Sequence, residues 1–120
     1  MVKTVNILGT EYRIEVRKRS EDEFMRERNC DAYCSNLGKF IVIADLTEKE
    51  SFSDYEQIEI DEYRRQLLRH EIVHAFLNES GLSARASTPA GSWAKHEEMV
   101  DWIAIQFPKI MKAFQEVGAL

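Results

Sequence analysis

Hydrophobic and polar residues alternate at the start of the chain. Val5 and Ile7 stand two apart, Gly9-Thr10 interrupts, and Tyr12, Ile14 and Val16 resume the alternation with polar residues between them. A period of two around a glycine-bearing break predicts a β-hairpin with one buried face. Ser20-Glu21-Asp22-Glu23 has capping-box spacing and predicts a short helix through Phe24 and Met25, capped by Ser20. Ala32-Tyr33-Cys34, the turn residues Ser35 to Gly38 and the nearly continuous apolar run Phe40 to Ala44 predict a second hairpin. Its latter strand should be buried on both faces. Lys49 to Asp54 reads as a polar loop, and the acidic stretch Glu48 to Glu62 as surface.

The period then lengthens. Over 61–80 the pattern is helical, and Gly81 supplies the stop. At 100° per residue, Tyr63, Leu67, His70, His74 and Leu77 share one face, while Leu68, Ile72, Ala75 and Phe76 make the other directions apolar too. Such a helix is expected to be central and buried all round. Ser83 to Gly91, with Pro89, reads as a loop. A second helix is expected over 94–117, kinked or broken at Pro108, which has no amide hydrogen to donate. Strands first and helices after predict an α+β fold, with a small, mostly antiparallel sheet of two hairpins in 1–45 packed on the two helices.

Composition narrows the class. A chain of 120 residues, without repeats or linkers, is expected to form one domain spanning 1–120. With 44% hydrophobic and 31% charged residues it can build a core, which excludes a disordered chain. A net charge of -5 argues against a nucleic-acid partner. The longest apolar run, Phe40 to Ala44, is far below the roughly 18 residues of a membrane span, and the N-terminus has no signal-like apolar stretch. Cys30 and Cys34 are too few for a disulfide scaffold. Their spacing fits neither a redox pair nor a zinc ribbon, so both are read as structural. A cytoplasmic protein is expected.

One motif carries chemistry. His70-Glu71-Ile72-Val73-His74 reads H-E-x-x-H inside the predicted buried helix. Histidines four apart share a helix face, so both imidazoles can reach one ion. Glu71 lies beside that face, placed to take a proton from a water on the metal rather than to bind the metal. Two His nitrogens and one carboxylate leave a zinc ion an open fourth position. With three histidines in the chain, this motif would arise by chance about once in a hundred such sequences. Satisfied core histidines are the plainer alternative, and the rarity of the motif weighs against them.

The third ligand must come from elsewhere, and His96, Glu97 and Glu98 stand together. Glu97 is favoured because Asp101, four residues on, shares its face and could orient a zinc-bound histidine from outside the metal shell. A solvated acidic turn at a helix N-terminus is the bland alternative.

His70-Glu71-x-x-His74 followed by Glu97-x-x-Val100-Asp101 resembles the gluzincin pattern, whose best-known members are the thermolysin-like enzymes. It is also similar to the ImmA/IrrE-type metallopeptidases, whose ligand glutamate opens an E-x-x-A-(N/D)-x-F-A helix; Glu97, Val100, Asp101, Ile103 and Ala104 occupy those places. The hairpin-rich first half is similar in layout to small phage-encoded proteins of this class. The pattern departs where thermolysin-like enzymes carry Asn before the ligand Glu and this chain has His96, and the dozen residues after Pro108 leave no room for their helical subdomain. The resemblance therefore implies a minimal zincin-like core holding one Zn2+ through His70, His74 and Glu97, with Glu71 as the base. It implies a protein or peptide substrate and, for a phage protein, the bacterial host cytoplasm.

An oxyanion donor or substrate contact is sought among His96, Tyr33 and Arg85. The resemblance also gives Phe40 to Ala44 a second role, as an edge on which an extended peptide pairs. The function expected is a cytoplasmic zinc metallopeptidase. The alternative is a zincin-fold binding module with a structural zinc, and a third reading is hydrolysis of a non-peptide amide. No nucleic acid or membrane is implied, and the oligomeric state is left open.

Overall fold

A computed structural model describes residues 3–48, 56–82 and 96–120. The loops expected over 49–54 and 83–91, the start of a helix at Ala94, and Arg85 lie outside the described residues. The fold is α+β: β1 (Lys3–Ile7), β2 (Thr10–Arg17), a 3-10 turn at Arg19–Glu21, α1 (Glu23–Arg28), β3 (Ala32–Ser35), β4 (Phe40–Ala44), α2 (Gln57–Glu79) and α3 (Glu97–Glu116).

Strand β4 organises it. Ile41, Val42, Ile43 and Ala44 are all buried. Ile41 and Ile43 join Ile7, Tyr12 and Ala75 of α2, whereas Val42 and Ala44 join Met25 of α1 and Leu46. A strand covered on both faces needs apolar residues at every position, as the continuous run there supplies.

The sheet order is β1-β2-β4-β3. The two expected hairpins are present as antiparallel pairs, β1 with β2 and β3 with β4. They join through a parallel pair, Arg13 opposite Phe40 to Arg17 opposite Ala44, so the sheet is mixed. A parallel pairing needs a crossover, and residues 18–39, with α1, provide it. This overturns one expectation: β4 is interior, so Phe40 to Ala44 is not an edge for a peptide. The edges are β1 and β3.

Other details differ for local reasons. The cap of α1 is Asp22, whose Oδ1 accepts from the Met25 amide at 2.9 Å; Ser20 sits inside the 3-10 turn instead. Helix α2 begins at Gln57, a turn before the expected start, because Glu56 and Glu59 form a reciprocal capping box. It is not buried all round: only Glu71 and Ala75 are fully buried among its described residues, and Phe76 is 43% exposed. Gly81, at φ +82, takes the left-handed turn that ends it. Helix α3 runs unbroken through Pro108. The carbonyl that Pro108 cannot serve, Ala104 O, accepts instead from Arg69 Nε at 2.6 Å. Among the described residues, no helix is long and apolar enough to cross a membrane.

Candidate metal centre

The site forms where α3 lies along α2. On α3, Glu97, Val100, Asp101 and Ala104 recur at helical spacing and make one stripe. Val100 and Ala104 are buried, at 0% and 1% exposure. Burying them turns the two carboxylates of the same stripe towards α2. On α2, His70 and His74 share the face that meets them, their ring centroids 4.8 Å apart and their planes at 66°.

Asp101 Oδ1 stands 2.7 Å from His70 Nδ1. An ionised carboxylate only accepts, so beside one Nδ1 carries the hydrogen, and in a neutral ring the lone pair is then at Nε2. That Nε2 is 3.2 Å from His74 Nε2 and 2.9 Å from Glu97 Oε2. Glu97 Oε1 is 3.0 Å from His74 Nε2. These atoms crowd one point, so either a hydrogen on a ring nitrogen or a metal ion lies between them. Burial pushes the His74 pKa below its usual value, which disfavours a second proton on that ring, although the Glu97 carboxylate opposes that shift.

The donor set fits zinc. Tetrahedral ligands about 2.0–2.1 Å from the ion stand about 3.3 Å from one another. The separations of 2.9 to 3.2 Å fall a few tenths short of that. His70, Glu71 and His74 also bring ligand atoms within 4.8 Å of one another, so Glu71 borders the same point. Glu97 is the nearer carboxylate, and it reaches both rings.

Glu71 differs from Glu97 in its surroundings. It is 5% exposed, while the Glu97 side chain is 65% exposed. Burial raises the Glu71 pKa to about 7, with the Glu97 and Asp101 charges adding to the rise and His70 opposing it. Such a carboxyl can hold or release a proton near neutrality.

The remaining sequence candidates separate. Tyr33 lines the same cleft, but its hydroxyl donates to Asp22 Oδ2 at 2.8 Å and accepts from Arg17 at 3.1 Å, and burial holds its pKa up at about 12. It is committed to the sheet and is not poised as an oxyanion donor. His96 occupies the N-cap of α3 without a side-chain cap bond, and neither it nor exposed Glu98 lines the cleft. Cys30 and Cys34 are free thiols in the cleft wall; burial raises Cys34 to about 12, so it stays a thiol.

The cleft itself, of about 840 Å³, extends from His70 and Glu97 past β3 to Phe24 and Arg28 of α1. Sequence reasoning missed Asn78 and Gln66 in its wall. The helical spacing held a signal for both, since each stands four residues from a motif histidine: Gln66 before His70 and Asn78 after His74. It missed Arg69 too, because nothing in the local pattern says which carbonyl an arginine will meet. In comparisons with known proteins, the chain matches no family model, no curated protein and no solved structure.

Proposed function

We propose that the protein is a zinc-dependent peptidase of minimal gluzincin type, acting on a protein or peptide substrate in the cytoplasm. The observation that carries this reading is the convergence of His70 Nε2, His74 Nε2 and the Glu97 carboxylate, with Glu71 buried beside them. His70, His74 and Glu97 would hold the ion, and Asp101 keeps His70 in the tautomer that frees Nε2. A zinc ion there supplies Lewis acidity and lowers the pKa of water it binds. Glu71 takes a proton on its carboxylate and returns it to the leaving nitrogen. Burial favours its acid form and a dication favours its base form, so both states lie within reach of neutral pH. Ala32, Tyr33 and Cys34 of edge strand β3 border the cleft, so an extended peptide would add to that edge.

A zinc-holding binding module is the second reading. It is favoured by the cleft tyrosines: Tyr33 and Tyr63 donate their hydroxyls to Asp22 and Asp31. The experiment is a peptide-library digest with the zinc-loaded protein. The peptidase cleaves, and Glu71→Gln keeps its zinc but loses about 10²–10⁴ in rate. Wild-type protein that holds zinc and cleaves nothing would favour the binding module.

A further inference from the structure

Helix α3 carries a defect beside the site. Pro108 has no amide hydrogen, so Ala104 O loses its helical partner, and Ala104 is only 1% exposed. A buried carbonyl left unpaired is costly. Arg69 Nε donates to that oxygen at 2.6 Å, and its Nη2 lies 3.3 Å from Glu62 Oε1, back along α2. One guanidinium edge is thus held at both ends, a fork that lysine cannot reproduce. Arg69 is the residue before His70, and Ala104 is three residues after Asp101 on the stripe facing α2.

We propose that Arg69 is a positioning residue: through Ala104 O it fixes the rise and rotation of α3 against α2, and so holds Glu97 and Asp101 at the two histidines. This rests on the metal reading above. Val100 and Ala104 are small side chains that offer little resistance to sliding. A slip of one residue moves a helix about 1.5 Å along its axis and 100° around it. Contacts of 2.7 to 3.0 Å at Glu97 and Asp101 would not survive that displacement. Arg69 itself is not a ligand; the proline gives it a carbonyl to grip, and the grip is what sets the register.

The test is zinc affinity by competition with a chromogenic chelator in four proteins: wild type, Arg69→Ala, Pro108→Ala and the double variant. Arg69→Ala should weaken zinc about tenfold or more, the range of lost outer-shell support. Pro108→Ala alone should stay close to wild type. The double variant should stay as weak as Arg69→Ala, because an amide at 108 serves Ala104 O within α3 and restores no link to α2. Far-UV circular dichroism of each metal-free protein checks that the helices persist, and the double variant, whose Ala104 carbonyl is paired within α3, keeps the test decisive should Arg69→Ala alone fold poorly. An Arg69→Ala protein with unchanged affinity, or a loss that Pro108→Ala relieves, overturns the proposal. A wild type that binds no zinc would overturn the metal reading in the first titration, before Arg69 is altered.

Discussion

Asp101 and His70 are 31 residues apart in sequence and 2.7 Å apart in space, Oδ1 to Nδ1. This contact decides what His70 can do. By accepting the Nδ1 hydrogen, Asp101 leaves Nε2 directed at His74 and Glu97. Glu97 completes the donor set and Asp101 orients it, and the two lie one helical turn apart on α3.

That division of labour predicts a ranking in zinc affinity. Glu97→Ala should lose the most, since it removes a donor atom. Asp101→Ala should lose about 10–100-fold, the usual cost of removing an orienting partner. Glu98→Ala and His96→Ala should remain close to wild type, because neither lines the cleft. A chelator competition series gives the order directly. Were Glu98→Ala to strip the metal while Glu97→Ala kept it, the face assigned to α3 would be wrong.

Glu71 predicts a pH dependence of the metal-free protein. Its carboxyl is raised from 4.5 to about 7 in the fold, by burial first. The folded state therefore binds the proton more tightly than the unfolded chain. Its stabilising contribution is fully present below about pH 4.5 and is lost as pH rises through 7. Glu71→Gln, neutral throughout, should remove that loss and melt higher than wild type at pH 8, with little difference at pH 4.5. Thermal melts of both proteins at the two values test this, and parallel pH profiles would contradict it.

At the far end of α2 the sign reverses. Glu79 Oε2 accepts from Lys39 Nζ and from the Tyr12 hydroxyl, each at 2.7 Å, and these partners, Lys39 first, hold its carboxyl down at about 2. Its contribution is present above about pH 4.5 and is lost as pH falls through 2. Lys39→Met should reduce stability at pH 7 and flatten the decline between pH 4.5 and 2. Acid titrations followed by circular dichroism show whether the two curves converge at low pH, as this requires.

Much of the site was legible because residues four apart on one helix must share a face. His70 with His74, and Glu97 with Asp101, needed no knowledge of the rest of the chain. The buried strand at Phe40 to Ala44 was legible for a similar reason, since its unbroken apolar run leaves no polar face for solvent. What the sequence concealed depended on distant partners. The parallel pairing of β2 with β4 moved that strand from edge to centre. Asp22, at the N-cap of α1, claimed the Tyr33 hydroxyl. Helix α3 continues through Pro108, where the sequence left a kink or a break open, and Arg69, on another helix, serves the carbonyl that proline abandons. Local pattern fixes faces; it does not say which polar group crosses to meet them.

The central claim is that His70, His74 and Glu97 hold a zinc ion, and the stoichiometry of zinc in the purified protein tests it most directly. Elemental analysis of wild type after exhaustive dialysis against zinc-buffered solution should return one zinc per chain, and His74→Ala and Glu97→Ala treated alike should return close to none. A wild type without zinc, or a His74→Ala protein that keeps its full complement, would contradict the claim.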